Sequence, residues 1–88
     1  MRKRGIEGTI TKKMYKYITG EVLKIEILCD KTGREYIARP KSKIAKKEFS
    51  FLKAGDKVFI TGRIRLDGYT IYSPRIREIY KKEYVEAL

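Results

Sequence analysis

The stretch Leu52–Tyr80, LKAGDKVFITGRIRLDGYTIYSPRIREIY, decides how the chain is read. Val58, Ile60 and Ile64 share one parity, with Gly62 between them, while Lys57, Phe59, Thr61, Arg63 and Arg65 take the other. Alternation of this kind marks a strand with one buried face. Asp67-Gly68 follows and predicts a type I′ hairpin turn, which needs positive φ at both central residues. Tyr69–Ser73 then returns as the partner strand, and Ser73-Pro74 breaks or bulges it before Ile76 and Ile79 continue. A glycine in mid-strand, as at Gly62, marks a bulge or a bend at a barrel corner. The stretch is therefore a bent hairpin that closes a curved sheet.

Working outward, the segment before this hairpin changes period. Ser42 is placed to cap a short helix whose stripe is Ile44, Ala45, Phe49 and Leu52, although an irregular loop with one helical turn also fits. Upstream, Arg34–Arg39 is a third strand ended by Pro40, which has no N–H to donate to a ladder. Asp30-Lys31-Thr32-Gly33 is a compact hairpin loop. Val22–Cys29 is a second strand with Leu23, Ile25, Ile27 and Cys29 expected inward and Lys24 and Glu26 outward. Residues 5–14 form a first strand with Ile6, Gly8 and Ile10 on one face, and residues 1–4 are a basic arm. Residues 81–88 predict a short C-terminal helix with Tyr84 and Leu88 four apart.

The order is thus strand, strand, strand, short helix, strand, strand. It implies an all-β chain folded as a five-stranded Greek-key barrel, the OB-fold, occupying residues 5–80. The helix between strands three and four would plug the barrel with Ile44, Phe49 and Leu52. An SH3-like barrel is the rival, and it normally lacks that inserted helix.

Composition bounds the partners. The 88 residues make one small domain, and the balance of 22 Lys+Arg against 11 Asp+Glu gives a net charge of +11. Such a surface favours a polyanion, nucleic acid first. Histidine is absent and Cys29 is the single cysteine, so one chain offers neither a disulfide nor a His/Cys metal site. No cofactor is expected. The position of Cys29 in an apolar run predicts a small buried residue. No apolar run is long enough for a membrane helix, and Met1-Arg2-Lys3-Arg4 leads into no signal core, so a cytoplasmic location is the expectation. Asn, Gln, Trp and His are all missing while charged residues abound, a composition that points toward a thermophile. Asp30, Asp56 and Asp67 sit at turns, where aspartate bonds the local backbone. With Glu35 they pair with no readable nucleophile or base, so an enzyme is not expected.

The runs KIEILCDKTGREYIARP, FLKAGDKVFITGRI and DGYTIYSPRIREI resemble nucleic-acid-binding OB-folds of the replication protein A and tRNA-anticodon-binding type. Those families carry an apolar strand, an Asp-x-x-Gly turn, a third strand and a Gly-Asp-x-Val-x-Val-x-Gly fourth strand, matched here by Gly55–Gly62. The resemblance covers about residues 5–80. A weaker one, to the ribosome-binding initiation factor one family, rests on Ser42–Lys47 followed by LKAGDKVFI; Ser42 stands where that family usually has glycine. What the first resemblance implies is single-strand binding, DNA or RNA, with aromatic planes stacking bases and cations following phosphates.

The candidates for that interface are Tyr15 and Tyr17 in the first loop, Lys24 and an outward Tyr36 on strands two and three, and Arg63, Arg65 and Tyr72 around the last turn. Arg39, Lys41 and Lys43 extend the path. Tyr69 shares parity with the core residue Ile71, so Tyr72 is preferred to it. Competing structural readings stand beside these: the loop tyrosines also suit packing on the barrel end, and the Lys41–Lys47 charge run also suits a solvated helix face. The second functional class is a protein-interaction module, with Tyr80, Tyr84 and Leu88 offering a stripe for a partner or for self-association, or for the chain's own barrel.

Overall fold

A computed structural model describes residues 3–80. The chain forms β1 (Lys3–Tyr15), β2 (Val22–Cys29), β3 (Glu35–Arg39), α1 (Lys43–Ser50), β4 (Lys57–Ile64) and β5 (Thr70–Tyr80). The strands close into a barrel in the order β1-β2-β3-β5-β4, with α1 inserted between β3 and β4. β1 closes the barrel by serving two neighbours. Its first half, Lys3–Thr9, pairs with β4 and its second, Gly8–Tyr15, with β2, both antiparallel. Lys3 and Arg4, read as part of an arm, are therefore strand residues opposite Arg63 and Gly62. β3 and β5 are parallel, Arg39 lying opposite Tyr72. The predicted C-terminal helix, with Tyr84 and Leu88, lies outside the described residues. No described helix is long and apolar enough to cross a membrane.

The core follows from the alternation. Ile6 and Ile10 of β1, Ile25 and Ile27 of β2, Val58 and Ile60 of β4 and Ile71 of β5 are buried together. α1 begins at Ser42, whose Oγ accepts from the Ala45 N–H at 3.0 Å, and it inserts Ala45 and Phe49, followed by Leu52, against the barrel. These three lie at i, i+4 and i+7, one helical face. Ile44, expected to share the plug, is 63% exposed.

Three further expectations are corrected. On β2 the inward set begins at Val22 and resumes at Ile25, so Leu23 is exposed, and Cys29 is half-buried, packed at the core's edge. The cause is a register shift between Met14 and Tyr15, where β1 meets the start of β2 and the parity slips. On β3, Tyr36 points inward and is only 7% exposed, paired opposite the buried Ile27, while Ile37 takes the outer face. At the β4–β5 hairpin, Gly68 has φ +83° but Asp67 does not adopt positive φ, so the turn is not type I′. Instead the Asp67 carboxylate accepts from the Tyr69 and Thr70 N–H groups at 2.9 and 2.8 Å, and Thr70 Oγ1 donates to it as well. Those bonds hold the Asp67 carboxyl below its ordinary pKa, the Thr70 hydroxyl contributing most.

The bend expected at Gly62 is present. The β4–β5 register shifts between Thr61 and Arg63, and Ser73 opposite adopts φ +48°. A Cβ at Gly62 would strike the Ile71 side chain and lie 3.0 Å from the Tyr72 carbonyl oxygen. The two strands pass so closely here that a side chain at position 62 would have to displace Ile71 and press on the β5 backbone.

Candidate functional site

The barrel topology assembles one basic face from four strands. Arg39 on β3 is opposite Tyr72 on β5, and Tyr72 is opposite Arg63 on β4. On the other side, the β2–β3 ladder pairs Ile25 with Ala38; one step further along it, Lys24 comes level with Arg39. Ile25 and Ala38 are buried, so Lys24 and Arg39 point outward. With neighbouring strands about 4.8 Å apart, the row Lys24–Arg39–Tyr72–Arg63 spans about 14 Å across the strands.

Two more cations reach this row through Tyr72. Lys41 Nζ lies 4.5 Å from the centroid of its ring and the Arg65 guanidinium carbon 5.7 Å away. Lys41 follows the strand-ending Pro40, and Arg65 is exposed at the exit of β4. The tyrosine is half-buried between strands, so its ring offers a plate against which both cations lie. A shallow cleft lined by Gly62, Arg63, Tyr72 and Ser73 opens beside it.

Among the described residues, four carboxylates are engaged elsewhere in ion pairs, while Asp67, its pKa lowered first by the Thr70 hydroxyl, lies close enough to Arg65 for that charge to help lower it. Glu7 and Asp30 share Lys57, at 3.3 and 3.1 Å, and the two together raise the lysine's pKa, Asp30 contributing most. Glu21 pairs with Lys46 and Lys16, whose charges and hydrogen bonds lower its pKa, Lys46 most. Glu48 takes both Nε and Nη2 of Arg75 at 3.0 Å, a bidentate pair that lowers the Glu48 pKa and raises that of Arg75. Among the described residues, none of Lys24, Arg39, Lys41, Arg63 and Arg65 makes an ion pair.

Of the residues predicted from sequence, Lys24, Arg39, Lys41, Arg63, Arg65 and Tyr72 are thus gathered. Tyr15 ends β1 next to Met14, which pairs with Lys24, so the first loop flanks the Lys24 end of the row. Lys13 Nζ lies 5.9 Å from the Tyr15 ring, and Tyr17 at the loop tip is 94% exposed. Lys43 is exposed in the first turn of α1, two residues beyond Lys41. Tyr36 is not an outward residue of this row: it packs in the core, 7% exposed, and reaches the surface only at the edge of a neighbouring groove. The outer surface of β2 and β3 beyond Lys24 and Arg39 carries Glu26 and Glu35 around a groove whose lining is completed by Thr11, Tyr36, Ile37 and Tyr69. The aromatic residue available there is therefore Tyr69, which parity had set aside; Thr70 and Ile71 are both buried, and this irregularity frees the residue before them. Comparison of the chain with models of protein families, with curated proteins and with solved structures gave no match.

Proposed function

We propose that this chain is a Greek-key OB-fold that binds single-stranded nucleic acid, without catalysis, across the face centred on Tyr72. The strand order β1-β2-β3-β5-β4 with a helix between β3 and β4 supports the fold reading. The observation that carries the function is the gathering of Lys24, Arg39, Lys41, Arg63 and Arg65 around one tyrosine with no carboxylate paired to them among the described residues. Like charges crowded at a surface repel one another, and a phosphate backbone relieves that repulsion while releasing its counterions. Tyr15 and Tyr17, at the flank, supply exposed planes for stacking of bases. Tyr72 serves chiefly as the plate that orders Lys41 and Arg65.

Fluorescence anisotropy with matched single- and double-stranded DNA and RNA oligonucleotides across a salt series tests this reading. Neutralisation of about five phosphates predicts a slope of log K against log salt of about −3.5 for single strands. The double variant Arg39→Gln/Arg63→Gln should flatten that slope by about 1.4. A slope near zero, or one unchanged in the double variant, would refute the assignment.

A further inference from the structure

A second surface stands apart from the basic face. Between α1 and β5 runs an open groove of about 530 Å³ whose apolar walls are Ile44 and Phe51 on one side and Ile76 and Ile79 on the other. Ile44 is 63% and Phe51 69% exposed, a costly way to leave large side chains in water. We propose that this groove is the docking site of the chain's own C-terminal segment, residues 81–88.

Connectivity favours this occupant. β5 itself forms one wall through Ile76 and Ile79 and ends at Tyr80, so the segment KKEYVEAL starts at the groove's edge. Tyr84, Val85 and Leu88 stand at i, i+1 and i+4, a single stripe if the segment is helical. Eight helical residues extend about 12 Å, enough to cross from β5 to α1, since packed elements lie about 10 Å apart. A tethered segment also meets the groove at an effective concentration of order millimolar, so a weak contact forms within the chain before a second copy at micromolar concentration competes.

The test uses the full chain in solution. Nuclear Overhauser contacts are expected from the Ile44 and Ile79 methyls to the Tyr84 ring and the Leu88 methyls, unchanged on dilution. Ile44→Glu and Leu88→Glu should each move Tyr84 to random-coil shifts and speed amide exchange of residues 83–88 by about tenfold or more. Unchanged Val58 and Ile71 resonances show that the barrel survives. Absent contacts would overturn the proposal, as would contacts seen only between differently labelled molecules, which would give the groove to a second copy. Tyr84 shifts indifferent to Ile44→Glu would overturn it too.

Discussion

Replacing Tyr72 with leucine removes the plate from the basic face and keeps an apolar side chain between the strands. The ring holds Lys41 Nζ at 4.5 Å and the Arg65 guanidinium at 5.7 Å. Cation–π contacts at exposed sites contribute about 0.5–1 kcal/mol each, so the two amount to about 1–2 kcal/mol. For a domain of this size, 1 kcal/mol moves the melting temperature by roughly 4–8 °C. A double-mutant cycle isolates the contact. Tyr72→Leu and Lys41→Met, measured singly and together by urea denaturation, should show a coupling of about 0.5–1 kcal/mol, with Arg65→Met giving less because its guanidinium lies further out. If the cations are ordered by the ring, Tyr72→Leu should also weaken single-strand binding by about 5–30-fold. Tyr72→Phe, which keeps the π-face, should bind like the parent. Strictly additive stabilities, within about 0.3 kcal/mol, would refute the plate. So would a Tyr72→Leu binding loss that persists undiminished once Lys41 and Arg65 are both replaced, since that would make the ring a stacking platform.

Other perturbations test the scaffold. Gly62→Ala forces a methyl against Ile71 and the Tyr72 carbonyl 3.0 Å away. It should destabilise the barrel by about 1–3 kcal/mol or more, and a melting temperature within 2 °C (an order-of-magnitude threshold) of the parent would contradict the close crossing. Ser42→Ala removes the acceptor of the Ala45 N–H and should cost about 1 kcal/mol, read in the same urea assay. Glu48 has its pKa lowered by the Arg75 hydrogen bond first, with the Coulombic attraction of the same residue helping. A depressed carboxylate contributes stability that is present above its unfolded pKa and lost as pH falls through its folded one. Melting temperature should therefore drop as pH falls below about 4, and less steeply in Glu48→Gln. An identical pH profile in the variant would remove Arg75–Glu48 from the acid-sensitive set.

Much of the scaffold was legible because it depends on local chemistry. The Ser42 cap, the stop at Pro40, the bend at Gly62 and the alternation through Val58 and Ile60 each rest on residues near one another in sequence. What the sequence reading misplaced were choices of face: Tyr36 was expected outward, and Ile44 and Leu23 inward. In Glu35–Arg39 either Ile37 or the pair Tyr36 and Ala38 could face the core, and only the pairing of Tyr36 with Ile27 decides it. On α1, Ile44 and Ala45 are about 100° apart, and the neighbour against which the helix packs selects Ala45. Leu23 lost its inward place to a register shift, which a period-two pattern does not record. The basic face was legible as a set of residues but not as a cluster. Arg39 meets Tyr72 only because β3 and β5 are parallel neighbours, a non-local pairing that no spacing in the sequence announces.

That cluster has a consequence for the stability of the free protein. The acids with ion-pair partners, Glu7, Asp30, Glu21 and Glu48, serve Lys57, Lys46, Lys16 and Arg75, while Lys24, Arg39 and Arg63 lie along a row of about 14 Å, Lys41 and Arg65 join it at the Tyr72 ring, and Asp67 offsets part of the Arg65 charge. The Debye length shrinks from about 30 Å at 0.01 M salt to about 8 Å at 0.15 M, so the repulsion acts across the whole face at the lower concentration and is largely screened at the higher. The exposed ion pairs weaken over the same range, but each contributes only about 0–1 kcal/mol and they oppose a net charge of +11. The fold should thus gain stability as salt rises, and Arg39→Gln/Arg63→Gln should gain less because part of the repulsion has been removed. A polyphosphate chain at micromolar concentration, far too dilute to alter ionic strength, should raise the parent's melting temperature and leave the double variant nearly unmoved. If sodium chloride lowers the melting temperature, or if polyphosphate acts equally on both proteins, the charge on this face is not a strained site waiting for a polyanion. The +11 would then be a property of the surface as a whole.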